Sequence, residues 1–295
     1  MILDISKYQG NVRWNELKEY ADFVILKASG KTKDNKFDEN AKGALQYGVP
    51  FHVYHFLYCT TVARAKVEAK MFSDAVGNNK PLFWVLDCEK ESGITAAKAR
   101  TVVEAFEEEL KKIRGNDIRV AIYIAHELYK SWALDYSRYA YVWIPRYGKN
   151  TGTIDGSIRP NYPCDLWQYT SKGRVFGIDG DVDMSVINGD KKMEFFTCKT
   201  DETKETDKKP GKQPDIPTKE TFLGKRTLKK GCVGEDVKEL QQGLTNIGIS
   251  VGRYGVDGDY GTDTKKGVII FQRMHGLKAD GIFGPQSFAK WKEVI

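Results

Sequence analysis

Leu82-Phe83-Trp84-Val85-Leu86-Asp87-Cys88-Glu89 is an apolar run of five residues that ends in two carboxylates spaced i, i+2. The apolar part is too short for a helix and reads as a strand buried on both faces. On such a strand Asp87 and Glu89 share one face, about 6–7 Å apart, and Cys88 points the other way. Two ionised acids at that spacing repel each other. One of them is then expected to keep its proton to higher pH, as a general acid near neutrality requires. On a lone strand the same residues would be solvated acids at a strand end, so their surroundings decide the reading.

Those surroundings are strands alternating with helical stretches. Strands are predicted at Ile2–Ser6, Phe23–Ser29, Pro50–Leu57, Leu82–Glu89, Arg119–Ala125, Tyr141–Tyr147, Asp165–Thr170 and Asp181–Val186. Helical periodicity marks Trp14–Tyr20, Asp38–Tyr47, Val62–Val76, Thr95–Ile113 and Glu127–Leu134, with Thr95 as an N-cap and Gly115 as a stop. Alternation of this kind implies a parallel sheet, and eight strands in so short a stretch imply a closed or nearly closed barrel. The last three strands are joined by Gly/Pro-rich polar segments. The expected fold is therefore α/β, a modified (β/α)8-type barrel with reduced helices in its second half. Reactive groups in such barrels sit at C-terminal strand ends. Asp4, Asp87, Glu89 and Asp183 all fall at or near that end of a predicted strand, together with Tyr54, Trp143 and Trp167-Gln168-Tyr169. Carboxylates can bind sugar hydroxyls and aromatic rings can stack on sugar C–H faces, so this rim points to carbohydrate.

Composition agrees with a globular protein: 295 residues, 41% hydrophobic and 12% aromatic. No apolar run approaches the ~18–20 residues of a membrane span, and no membrane partner is expected. The chain opens at once on the strand-like MILDIS, without a signal-peptide pattern. Five cysteines stand singly, with no C-x-x-C and no Cys/His ligand spacing, and read as reduced thiols. No metal is read and no cofactor is expected.

Charge is unevenly placed. Basic residues number 28 against 26 acidic over 1–196, six against six over 197–220, and twelve against eight over 221–295. The basic C-terminal part suits an anionic polymer, although basic motifs interleaved with aromatics, as nucleic-acid binders carry, are absent. Residues 197–220, with alternating charges, three prolines and no aromatic ring, read as a linker. Residues 221–295 contain a near-repeat, Asp257-Gly258-Asp259-Tyr260-Gly261 against Asp280-Gly281-Ile282-Phe283-Gly284, each copy leading into a helix. Thr262 is placed to cap one helix and Pro285 to open the other. Val237, Leu240, Leu244 and Ile247 mark a preceding helix, so this part is expected to be an all-α three-helix binding module.

The first domain, 1–196, resembles the family 25 glycoside hydrolases, the lysozymes with a modified β/α barrel. The residues that carry the resemblance are Asp4-Ile5-Ser6-Lys7-Tyr8-Gln9-Gly10, Phe23–Ser29 followed by Asp34, Phe37 and Asn40, Tyr54-His55-Phe56, Asp87-Cys88-Glu89, Tyr123, Trp143-Ile144, Asp165–Tyr169 and Gly180-Asp181-Val182-Asp183. The last domain resembles the type 1 peptidoglycan-binding domain. Together these imply hydrolysis of the β-1,4 bond between N-acetylmuramic acid and N-acetylglucosamine, with peptidoglycan as the partner. By the resemblance Glu89 is the general acid/base. Asp87 stabilises the oxocarbenium-like state or orients the substrate's acetamido group. Asp4 and Asp183 position substrate and tune the pair. Tyr54, Tyr123, Trp143, Trp167, Gln168 and Tyr169 are candidates for the sugar groove. Glu89 is thus expected to carry the proton, Asp87 to keep its charge, and Cys88 to pack outward. The departures are Gly30 in place of a frequent glutamate, Pro145 in place of alanine and Ser185 in place of asparagine. They touch groove shape rather than the acids.

The i, i+2 carboxylates leave little room for the water that inversion needs, which predicts retention. The competing readings are a chitin- or glucosaminide-cleaving barrel, a non-catalytic wall binder on the same scaffold, and nucleic-acid binding through the basic module. An endolysin stored in the host cytoplasm until released fits the domain pairing. A secreted bacterial autolysin fits second.

Overall fold

The computed structural model describes residues 1–198, 223–247, 249, 251–252 and 254–294. The linker expected at 197–220 lies outside the described residues except for Thr197 and Cys198. The chain divides into two compact units, Met1–Thr197 and Cys198–Ile295.

The first unit is a closed eight-stranded barrel. Its strands are β1 (Ile2–Ile5), β2 (Phe23–Ser29), β3 (Phe51–Phe56), β4 (Trp84–Cys88), β5 (Val120–Ile124), β6 (Val142–Pro145), β7 (Leu166–Gly173) and β8 (Val182–Ile187). Around them lie α1 (Trp14–Leu17), α2 (Phe37–Gln46), α3 (Val62–Val76), α4 (Ala96–Arg114) and α5 (Leu128–Ser131), and α6 (Met193–Thr197) follows β8. The helices do shrink through the second half: β5 is followed by one short turn of helix, and β7 meets β8 as a hairpin. Gly115 ends α4 at a φ of 105°. Thr95 occupies the N-cap position of α4, but its side chain makes no capping bond.

Strands β1 to β7 run parallel, while β8 is antiparallel to both of its neighbours, β7 and β1. This corrects one expectation. Asp183 stands at the start of its strand, not near the C-terminal end. Because β8 runs backwards, its start lies at the rim where the other strands finish, and Asp183 pairs directly with Asp4.

Alternation sorts the strand residues into two layers. Ile2, Phe23, Ile25, Tyr54, Val85, Ala121, Tyr123, Trp143 and Leu166 cluster inside the barrel. The helices of the outer ring cover the other face. A register shift between Lys27 and Ser29 breaks the alternation on β2. Lys27 keeps the inward parity of Phe23 and Ile25, and Ser29 turns out to meet His55, at 2.8 Å from its Nδ1. Helix α6 was not anticipated. Its Phe196 stacks on Phe23 and packs against Phe83 and Tyr141, closing the barrel at the strand starts. The Phe196 carbonyl accepts from His52 Nε2 (2.9 Å), and Tyr141 Oη donates to Nδ1 (2.9 Å). With both ring nitrogens satisfied in a neutral tautomer, burial drives the His52 pKa down to about 3.

The second unit holds α7 (Glu235–Asn246), α8 (Thr262–Met274) and α9 (Pro285–Val294). Pro285 opens α9 as expected. Thr262 does not cap α8: Gly261 takes the N-cap position and no side chain caps it. The repeat extends further than the turn motif. Buried Gln241 donates to Asp257 Oδ1, the Asp259 carbonyl and Thr264 Oγ1, and its own carbonyl accepts from Gly258 N. Gln272 does the same for Asp280, the Ile282 carbonyl, Ser287 and Gly281 N. One glutamine per repeat saturates its amide on the following Asp-Gly turn and pins that turn to the helix before it. Among the described residues, no helix in either unit is long and apolar enough to cross a membrane.

Candidate active site

At the end of the barrel opposite Phe196 lies a cavity of about 190 Å³. Its floor and walls include all four sequence-predicted acids, Asp4, Asp87, Glu89 and Asp183, together with Tyr54, Tyr123, Trp143 and Gln168. Strand parity places them there. Asp87 follows Val85 on the inner face of β4, and Glu89 continues that face as the chain leaves the strand. The Glu89 carboxylate is fixed by a reciprocal cap with Ser92 at the turn that follows. Cys88, on the opposite face, is fully buried outside the cavity.

Trp167 and Tyr169, expected in the sugar groove, do not line this cavity. They alternate with Leu166 and Gln168 and so face out of the barrel, where both are buried. Trp167 Nε1 donates to the Arg146 carbonyl (2.8 Å), and Tyr169 Oη reaches Met184 Sδ. Trp143 lines the cavity but is only 2% exposed, and Ser185 Oγ holds its Nε1 at 3.1 Å. Gln168 is likewise anchored, its carbonyl accepting from Tyr123 Oη (3.0 Å) and Tyr147 Oη (2.5 Å).

Sequence reasoning missed Lys27 and Tyr147, which also line the cavity. Lys27 had a signal: it is the only charged residue in Phe23–Ser29, at the parity of the inward Phe23 and Ile25. Its ammonium lies 5.4 Å from the Tyr54 ring and 5.3 Å from the Phe56 ring. It faces three acids and lowers the pKa of each, opposing the larger effect of burial.

Burial is the first cause of every carboxyl shift here. It pushes Asp4 and Asp87 well above the usual carboxylate range, with like charges adding to it, against the expectation that Asp87 keeps its charge while Glu89 alone holds a proton. Asp183 rises to about 6 through burial. Glu89 rises to about 7, first through burial and then through the charges of Glu91, Asp183 and Glu127. Glu89 is the foremost charge acting on Asp87, and the repulsion between the two is mutual; desolvation is the larger cause of both shifts. Four acids around one lysine in a closed cavity do not all ionise together, and the set titrates as a unit. Asp87 Oδ1 is fully enclosed and has no hydrogen-bond partner. A buried acceptor left unpaired costs about 1–3 kcal/mol, which adds to the cost of ionising Asp87 in the empty cavity.

Comparison with known proteins agrees with this geometry. Residues 3–178 match the family model described as glycosyl hydrolases family 25, and residues 233–290 match the putative peptidoglycan binding domain. Lysozyme M1 of Streptomyces globisporus is 27% identical over 203 residues, covering 63% of this chain and 67% of that protein. A probable N-acetylmuramoyl-L-alanine amidase of Bacillus licheniformis is 48% identical over 60 residues, 20% of this chain and 17% of that one. The catalytic domain of endolysin ply40, from bacteriophage P40 of Listeria monocytogenes, superposes with a TM-score of 0.58 at 31% identity, covering 64% of this chain and 93% of that structure. A bacterial lysozyme from Streptomyces coelicolor superposes at 0.52 with 25% identity, over 63% and 91%.

Proposed function

This chain belongs to glycosyl hydrolase family 25, and we propose that it cleaves the β-1,4 bond between N-acetylmuramic acid and N-acetylglucosamine with retention, through the acetamido group of its own substrate. It is a lysozyme-type glycoside hydrolase carrying a peptidoglycan-binding domain. Glu89, protonated up to about pH 7, gives its proton to the glycosidic oxygen as the bond to the anomeric carbon breaks. The acetamido oxygen of the same sugar closes onto that carbon from the opposite side. The acetamido N–H and the positive charge that the ring acquires favour the ionised form of Asp87 that burial disfavours in the empty cavity, and Asp87 accepts that N–H. Water then attacks from the side the leaving group vacated, Glu89 takes its proton, and two inversions sum to retention. Asp183, paired with Asp4 across β1 and β8 and titrating at about 6, supports the negative field that an oxocarbenium-like state needs.

The observation that carries this reading is one cavity in which Glu89 keeps its proton to about pH 7 beside Asp87 on the same face of the chain. Borohydride reduction of the released fragments should convert muramic acid, not glucosamine, at the new reducing ends. Proton NMR at early times should show the β-anomer first. An α-anomer appearing first would sink retention, and reduced glucosamine would sink the bond assignment. Asp87→Asn should lose about 10²–10⁴-fold in kcat, and a variant close to wild type would remove the role given to Asp87.

For the biological role we favour an endolysin, held in the host cytoplasm until released onto the wall, over a secreted autolysin. The likeness to a phage endolysin catalytic domain supports this. So do the free cysteines at 59, 88, 164 and 232, which suit a reducing compartment. Expression inside a susceptible host should leave cells intact until a membrane pore is co-expressed. Lysis without a pore would favour the autolysin.

A further inference from the structure

On the β1–β3 side of the cavity mouth the wall is basic and aromatic, unlike the acidic floor. Phe56, which lines the cavity, stacks on Tyr58 with ring centroids 4.7 Å apart and planes at 27°. The Lys31 ammonium sits 4.7 Å from the Tyr58 ring centre, and Lys27 caps Phe56. Tyr8, 78% exposed beside the cavity, has the Lys7 ammonium 5.3 Å from its ring. Among the described residues none of these three lysines pairs with a carboxylate. A ring face beneath an ammonium leaves that ammonium charged, with its N–H donors turned toward solvent.

The ledge is rigid. Tyr58 N donates to Glu68 Oε2 (2.9 Å), a buried carboxylate that also takes His55 Nε2, so the strand exit is pinned from behind. Lys31 stands at the tip of a tight turn closed by the Ser29–Lys33 bridge. Asp34 ties that turn to the neighbouring one by accepting from Lys7 N (3.2 Å). Gly30 makes room for the ring: a Cβ there would lie 3.2 Å from Tyr58 Cε2.

We infer that the Phe56–Tyr58 ledge with Lys31 is a subsite for a carboxylate-bearing sugar of the glycan strand. Such a sugar rests against the exposed edge of the Phe56–Tyr58 stack and sets its carboxylate against the Lys31 ammonium. In peptidoglycan only the muramoyl residues bring carboxylates, on the lactyl group or on the stem peptide. A carboxylate is repelled by the acids of the floor and attracted by this flank, which sets the strand's direction across the cavity. The inference rests on the muramidase reading and deepens it.

The test measures kcat and KM for the full chain on three soluble glycans: one with stem peptides, one stripped of them by an amidase, and one whose carboxylates have been converted to neutral amides. Lys31→Gln should raise KM on the stem-bearing glycan about three- to five-fold, with kcat unchanged, as expected for one exposed charge pair. Lys31→Arg should restore KM. On the amidated glycan wild type and Lys31→Gln should coincide. If the difference persists on the stripped glycan the lactyl carboxylate is the ligand, and if it vanishes there the stem is. Gly30→Ala, which crowds Tyr58, should raise KM on all three. Lys42→Gln, an equal loss of charge on the exposed face of α2, is the control. Equal KM for wild type and Lys31→Gln on the stem-bearing glycan overturns the subsite. No muramic acid released from any glycan by the wild type would overturn the muramidase reading and the subsite with it.

Discussion

The two ends of the barrel bury polar groups under opposite rules. At the strand starts, His52 has both ring nitrogens hydrogen-bonded and is enclosed by Phe23, Phe83, Tyr141 and Phe196. At the strand ends, four carboxyls share a cavity with one lysine, and Asp87 Oδ1 has no partner at all. Both ends bury titratable groups and both shift pKa values strongly. A shifted pKa therefore does not distinguish function from structure here. What distinguishes them is whether the shifted group is already satisfied. His52 contributes by being complete, and Asp87 by lining an open cavity with its hydrogen bonds incomplete.

The sharpest way to break this contrast is to change one residue at each end. Glu89→Gln should cost about 10²–10⁴-fold in kcat with the melting temperature unchanged or raised, read by fragment release and thermal melts. Phe196→Ala should do the reverse, losing about 3–5 kcal/mol of stability in denaturant titrations, with kcat near wild type where the protein stays folded. Lost turnover in a folded Phe196→Ala variant would mean that the two ends are coupled.

The next effect is smaller and comes from pH. Asp183 and Glu89 have native pKa values near 6 and 7, above their unfolded values. The native state therefore binds more protons than the unfolded chain between about pH 4 and 7. The stability involved is fully present below the unfolded values and is lost as pH rises through the native ones. Melts should show the barrel more stable at pH 5 than at pH 8 by roughly 4 kcal/mol, and Asp183→Asn should flatten the slope. A melting temperature that rises over that range would contradict the burial-driven shifts.

The smallest effect separates two causes of the Glu89 shift. Activity should fall as pH rises through about 7, because the general acid loses its proton. Glu91, exposed on the turn after Glu89, is the foremost charge holding that limb up. Glu91→Gln should move it down by roughly 0.3 pH unit. An unmoved limb would leave burial as the whole cause.

Much of the barrel was legible because apolar runs of strand length and helical periodicity are local signals. All eight strands lie where they are expected, with ends differing by a few residues, and β2 and α3 match their expected bounds. The acids were legible because they interrupt apolar strands. Trp167 and Tyr169 misled because an aromatic ring on a strand is equally suited to either face, and only the phase relative to Leu166 tells which. Lys27 was overlooked because a single lysine within an apolar strand reads as a surface residue of an edge. Gln241 and Gln272 were missed because glutamine on a helix carries no pattern, although they stand in matching Val-x-x-[Leu/Phe]-Gln contexts.

The order of the elements, the two-domain plan and the identity of the acids follow from sequence alone, since each depends on residue type and short-range spacing. The direction of β8, the register that sets Asp183 against Asp4, the closure of the barrel by Phe196 and the desolvation of Glu89 depend on tertiary structure. Each of these arises between segments distant in the chain. Burial, which moves the carboxyl pKa values most, is a property of the closed barrel and of no single strand.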